Sequence, residues 1–422
     1  MQQFRNLKEV EEALKPFQPS KITRFAYTTE HVQRFLDYVG NPQDVPKAIH
    51  IAGTSGKTST AYYAAALLKQ AGKRVGLMVS PHAEHLNERV QIDLVPLAEK
   101  EFCTEMAIFL EMVRKSGILL THAELLYAFA FWEFVRQNVE YIVVEVGMGG
   151  LLDATNVITR ADKVCVITDI GLDHTNVLGG TIKEITAHKA GIIKLHNVVF
   201  FHQQSKEVMD IIRGESKQRQ ADMHTISRAE KTPSEARSLP LFQQRNFSLA
   251  YKAVCFVLER DGVPRLTAKM MRTAAESYIP SRMEQHAISG KTLVLDGAHN
   301  AQKLHALVVS LQALFPDSPL SILVGFTGGR GRDISELAGI LAALKPEKVI
   351  VTSLQMQEGL PPRAEPAEVA KACSAAGMQV ELIADQKQAC DALMASKSEL
   401  LLVTGSLYLT GQLKPILLQS VR

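Results

Sequence analysis

The chain has 422 residues, of which 46% are hydrophobic, 22% charged and 6% aromatic, a globular composition with length for two domains. Forty-seven Lys and Arg against 44 Asp and Glu leave a formal charge of +3, so no strong field favours nucleic acid or an anionic membrane as partner. Five cysteines without a CxxC pair exclude a zinc knuckle and a disulfide framework, and no apolar run approaches about 18 residues, so a cytoplasmic protein is expected.

In chain order, short apolar runs at Ala48–Ala52, Arg74–Val79, Tyr141–Val146, Lys163–Thr168 and Val198–Phe201 predict strands. Between them, Thr58–Ala71 and Thr121–Asn138 carry Ala, Leu and Phe at helical spacing and predict crossover helices. Ser205–Pro240 turns polar and reads as irregular surface chain, followed by a helix over about 247–261. A second strand series runs through Thr292–Leu295, Ser321–Val324, Val349–Thr352, Val380–Ile383 and Leu400–Thr404. The expected fold is α/β: a doubly wound N-terminal domain carrying a P-loop over 1–285, then a smaller Rossmann-like C-terminal domain over 286–422.

The first strand ends in Gly53-Thr54-Ser55-Gly56-Lys57-Thr58-Ser59, a GxxGKT loop that opens an Ala-rich helix. Backbone N–H groups in such a loop, with the helix N-terminus behind them, suit nucleotide phosphates. Lys57 is then placed on the β- and γ-phosphates, and Thr58 supplies a hydroxyl for Mg²⁺. Glu145, at the C-terminal end of a predicted parallel strand, offers Mg²⁺ a hard oxygen. After the next strand, His174 is a candidate ligand for a second divalent ion, with Asp173 as its orienter. Composition alone reads Lys189 as a solvated helix lysine.

These blocks resemble the Mur-ligase superfamily of ATP-dependent amide ligases, most closely its folylpolyglutamate synthase and dihydrofolate synthase branch. The resemblance runs in order through Gly40–Gln43, Ala52–Ser59, Ser80-Pro81-His82, Glu88-Arg89-Val90, Glu145–Val157, Gly171–Gly179 and Lys189–Lys194. It resumes at Asn246, Ser281–Glu284, Asp296–Asn300 and Val403–Tyr408. It implies Ser80 and Glu145 on one Mg²⁺, His174 in the same metal cluster, and Lys189 carbamylated so that it holds a second Mg²⁺. It further implies ATP contacts from Asn246, Arg282 and Asp296, and His299 beside the phosphate and the incoming amino acid.

The activity so implied joins L-glutamate to a folate or dihydropteroate carboxylate through an acyl phosphate, by a monomer without nucleic-acid or membrane partners. Four departures stand out: GTSGKTS in the loop, Leu151 in place of an arginine, His188 in place of a glutamate, and Asp93-Leu94 in place of an Asn-Gly turn. They leave open a Mur-type ligase for another carboxylate, or an ATP-binding relative without catalysis.

Overall fold

The structure is a computed structural model that describes residues 3–18, 28–227, 230–328, 333–355 and 362–419. It divides into two compact units, one of residues 1–239 and 243–277, the other of residues 240–242 and 278–422.

The first unit is built on eight strands: β1 (Lys47–Ala52), β2 (Val75–Met78), β3 (Val90–Ile92), β4 (Val95–Pro96), β5 (Tyr141–Glu145), β6 (Val164–Ile167), β7 (Val198–His202) and β8 (Asp222–Ile226). They lie in the order β4-β3-β2-β5-β1-β6-β7-β8. The sequence β2-β5-β1-β6-β7-β8 pairs in parallel, and only the β2–β3 and β3–β4 pairings are antiparallel. Parallel strands need both faces covered, which is why the central runs 142–144 and Val164–Ile167 are apolar and buried throughout. Ile142 and Val144 join a cluster with Phe102, Phe109, Phe129, Phe131 and Phe134, while the alternating Ile49, Ile51, Leu77 and Val143 are 0% exposed on the other face.

Residues 206–226 of the stretch read as irregular form a helix and a strand, contrary to the sequence expectation. Ser205 caps a helix over Lys206–Gln218 whose Val208, Ile212 and Ser216 are buried, and β8 then adds to the sheet edge by pairing with β7. The helix was masked by its charged outer face, and β8 (DMHTI) by the polar side chains that an edge strand carries.

Where the family resemblance leads one to expect Asn-Gly, Asp93 and Leu94 form the two-residue turn of the β3–β4 hairpin, with φ of 52° and 65°. Two positive φ values define a type I′ turn, which strains a bulky leucine. Leu94→Gly is expected to stabilise the protein by about 0.5 kcal/mol, relief of the left-handed strain outweighing the added chain entropy of glycine. An unchanged or lower urea midpoint contradicts this.

The second unit has six strands: β9 (Glu284–Ile288), β10 (Lys291–Leu295), β11 (Leu320–Val324), β12 (Lys348–Val351), β13 (Val380–Leu382) and β14 (Leu400–Thr404). Their order is β13-β12-β11-β14-β10-β9, parallel except for the β9–β10 hairpin. Alternate residues bury opposite faces: Val294, Ile322, Val324 and Leu402 in one cluster, Leu293, Leu295, Leu323 and Leu401 in the other.

The two units part between Ser277 and Tyr278, ahead of the expected junction at 285/286. The reason is β9, which pairs along its whole length with β10. Its first residue, Glu284, accepts from the Ser281 N–H (2.8 Å), the Tyr278 hydroxyl (2.9 Å), His286 Nε2 (2.6 Å) and Lys414 Nζ (3.0 Å), which ties the preceding segment to the second sheet.

Candidate functional site

In the first unit, register brings the candidate residues to one end of the sheet. Ile51 lies beside Glu145, and Met78 beside Val144, so the loop after β1, the end of β5 and the loop after β2 are neighbours. This is the carboxyl edge of a parallel sheet, where α/β folds bind ligands.

Gly53 has φ 151° and Gly56 φ 90°. A Cβ on Gly53 would lie 1.7 Å from Thr168 Oγ1, and one on Gly56 2.3 Å from Asn246 Oδ1, so both positions exclude any side chain. Gly56 caps the helix Lys57–Gln70, and Ser59 and Thr60 are buried in its first turns. The Thr54 and Ser55 N–H groups donate to Asp169 O at 2.9 and 3.2 Å, and the Thr54 hydroxyl donates to Gly171 O at 2.9 Å. These two residues thus anchor the loop to the segment after β6. At the helix start the N–H groups of Lys57, Thr58 and Ser59 have no intrahelical acceptor, an arrangement that suits an anion.

Glu145 is 2% exposed. Its Oε1 accepts from the Thr58 hydroxyl at 2.9 Å and its Oε2 from the Ser80 N–H at 3.2 Å. Tyr127 donates its proton to Glu145 O at 3.2 Å, so the Ser80 hydroxyl, 2.9 Å away, donates to the phenol oxygen. Both hydroxyls therefore spend their hydrogens inward and keep lone pairs for a cation. Burial, with the charge of Asp153 adding to it, raises the Tyr127 phenol well above its ordinary pKa and keeps it a donor. A carboxylate and two hydroxyls form a hard oxygen set that suits Mg²⁺.

Lys189 corrects its reading as a solvated lysine. It is 4% exposed, on the helix Ile182–Ala190, and its ammonium donates to Gly53 O at 2.8 Å. The preceding His188 accepts from the Leu151 N–H at 2.7 Å through its backbone carbonyl, fastening this helix to the glycine turn after β5. That turn is held from inside: Asp153 accepts from Met148 N (2.8 Å) and the Thr155 hydroxyl (2.6 Å), and buried His50 donates through Nε2 to Thr155 Oγ1 (2.8 Å).

His174 starts a short helix with φ 51°, its N–H donating to Asp173 Oδ1 at 3.0 Å and its Nε2 lying 3.9 Å from the same oxygen. Among the described residues, no three His, Cys, Asp or Glu side chains gather as a metal cage. Asn246 lies on the helix Leu241–Arg260 against Gly56 and donates to Gln243 Oε1 at 3.1 Å. The preceding residue, Arg245, forks onto Asp169 (2.7 and 2.9 Å), the residue whose carbonyl holds the loop. Sequence reasoning missed Tyr127, Asp169 and Arg245, because an aromatic in an apolar helix and an isolated Asp and Arg carry no local signal.

In the second unit, Asp296, Gly297, Ala298 and His299 follow β10. Asp296 Oδ2 accepts from Met283 N at 2.9 Å and Oδ1 from Ala298 N at 2.8 Å. Burial raises its pKa, opposed by Arg282 and these N–H groups. Arg282 donates to Ser281 O at 2.9 Å, and a Cβ on Gly297 would fall 2.9 Å from its Nη1, so Arg282 and Asp296 share one corner. His299 Nδ1 donates to Gly297 O at 2.8 Å, which leaves Nε2 to accept from Lys303 Nζ at 3.2 Å.

The chain matches the Mur ligase middle domain over residues 51–254 and the Mur ligase glutamate ligase domain over residues 281–407. It is 30% identical to folylpolyglutamate synthase of Lacticaseibacillus casei, with 94% of this chain and 96% of that protein aligned. It is 31% identical to dihydrofolate synthase/folylpolyglutamate synthase of Mycobacterium tuberculosis over 78% of this chain and 75% of that one. The solved Mycobacterium tuberculosis folylpolyglutamate synthase complexed with ADP superposes with a TM-score of 0.83 at 27% identity, covering 97% of this chain and 98% of that chain. With these matches spanning both units, the chain belongs to the Mur ligase family, in its folylpolyglutamate synthase and dihydrofolate synthase branch.

Proposed function

We propose that the protein uses ATP to join L-glutamate to the carboxylate of a folate or of dihydropteroate, releasing ADP and phosphate. The observation that carries this reading is the row formed by the Gly53–Ser59 loop, Thr58, Glu145 and Ser80, a phosphate cradle beside a hard oxygen set. Relatives across nearly the whole chain bear the corresponding names.

A carboxylate does not acylate an amine, so the acceptor carboxylate oxygen first attacks the γ-phosphorus and ADP departs. The amine of glutamate then attacks the acyl carbon, the C–O bond to phosphate breaks, and the amine proton is lost to solvent or base. Lys57 and the helix start bind the phosphates and meet the charge that spreads over the transferred group. Thr58, Ser80 and Glu145 would hold Mg²⁺, which when bound neutralises phosphate charge.

For the second ion, a carbamate formed on Lys189 by addition of CO₂, with two protons released from the ammonium, would set an anion beside the loop, where it and His174 would hold Mg²⁺. Asn246, Arg282 and Asp296 are the nucleotide contacts in this reading, and His299 faces the transferred phosphate and the amino acid.

The test is phosphate release from Mg·ATP with L-glutamate present and dihydropteroate, tetrahydrofolate or no acceptor added in turn. The expected result is pterin-dependent release with a product heavier by one glutamyl residue. ATP binding without pterin-dependent release would contradict the reading.

A further inference from the structure

The Gly53–Ser59 loop takes its shape from the segment that follows β6. Thr54 and Ser55 donate their N–H groups to Asp169 O, and the Thr54 hydroxyl donates to Gly171 O at 2.9 Å while accepting from Gly171 N at 3.1 Å. Gly53 leaves no slack against the same segment, since a Cβ there would collide with Thr168 Oγ1. The loop is therefore only as well placed as Asp169.

Asp169 is held from two directions. Gln204, two residues past the end of β7, accepts from Ile170 N at 2.7 Å and donates to Thr168 O at 3.3 Å, which clamps the backbone on either side of Asp169. The side chain is held by Arg245, whose Nε donates to Oδ2 at 2.9 Å and whose Nη2 donates to Oδ1 at 2.7 Å, a planar fork that fixes direction as well as distance. Arg245 is itself fixed, because its carbonyl accepts from His202 Nε2 at 2.9 Å. The next residue, Asn246, stands against Gly56. Two adjacent residues of the helix Leu241–Arg260 thus brace the loop, one through Asp169 at Thr54 and Ser55, the other directly at Gly56.

We propose that Arg245 is a positioning residue for nucleotide binding. Through the Asp169 carboxylate it fixes the carbonyl that orients Thr54 and Ser55, and with it the direction in which the helix start at Lys57 meets the phosphates. This rests on the ligase reading above and adds to it the group that sets its phosphate loop. The two side chains are 33% and 29% exposed, so water screens their attraction, and the fork acts through geometry more than through charge.

In Arg245→Met, Kd for Mg·ADP, read by calorimetry, and KM for ATP are both expected to rise about fivefold, while kcat and KM for L-glutamate stay within about twofold. Asp169→Asn, which keeps the carbonyl and loses the ionic fork, is expected to give the same rise, and the double variant no more than either single one. A rise in Arg245→Met that Asp169→Asn does not share assigns the guanidinium to a phosphate directly and overturns the proposal. Losses that multiply in the double variant, an equal rise in KM for L-glutamate, or an unchanged Mg·ADP affinity in both single variants overturn it as well. If the wild-type protein binds no Mg·ADP, it is the ligase reading that fails, a result read before any substitution is made.

Discussion

Lys57→Ala is expected to lower kcat for phosphate release by about a thousandfold or more, through loss of a charge that meets the transferred phosphoryl group. The position supports so large an effect. Lys57 is the first residue of a helix whose glycine cap tolerates no side chain, so the ammonium and the free N–H groups of the first turn converge from a rigid element. Neighbouring Thr54 and Ser55 spend their N–H groups on Asp169, and the Gly53–Ser59 loop carries no second cation to take over. Single-turnover measurement of ADP formation at saturating Mg·ATP checks this, because it isolates chemistry from release. Wild-type rates in the variant would place the phosphates elsewhere.

Lys189→Ala is expected to lower turnover by about a hundredfold or more, for either of two reasons that rescue separates. If the working form is the carbamate, a small carboxylate such as acetate restores part of the activity. If the ammonium works by holding Gly53 O, as the 2.8 Å bond shows it placed to do, methylamine restores activity and acetate does not. In both cases burial matters: at 4% exposed, the side chain leaves a sheltered gap that a small molecule of the right charge can fill. Wild-type activity in Lys189→Ala without additives would contradict a role for this residue in the site.

What the sequence made legible was what is local in it. A strand, a glycine loop and a helix in succession placed Lys57 and Thr58 correctly, and an acid closing an apolar run placed Glu145 at the same sheet edge. Contacts between distant segments were out of reach. Ser80 and Tyr127 meet across 47 residues, Asp169 and Arg245 across 76, and Lys189 reaches Gly53 across 136, each fixed by sheet register rather than by a pattern. Lys189 is the clearest case: composition assigns it to solvent, and only the resemblance to a family set it apart. The β8 strand was missed because polar residues on an edge lack the apolar signature of the central strands. The junction between the units was set too late because β9, a short mixed strand, draws its identity from pairing with β10.

Activation of the acceptor carboxylate by phosphoryl transfer is the central claim, and isotope transfer reads it directly. Acceptor carrying ¹⁸O in its carboxylate, turned over with Mg·ATP and L-glutamate, is expected to deliver one ¹⁸O into each inorganic phosphate released. Phosphate free of label, in a reaction that forms the amide product, would show that the carboxylate never bonded to phosphorus and would contradict the account.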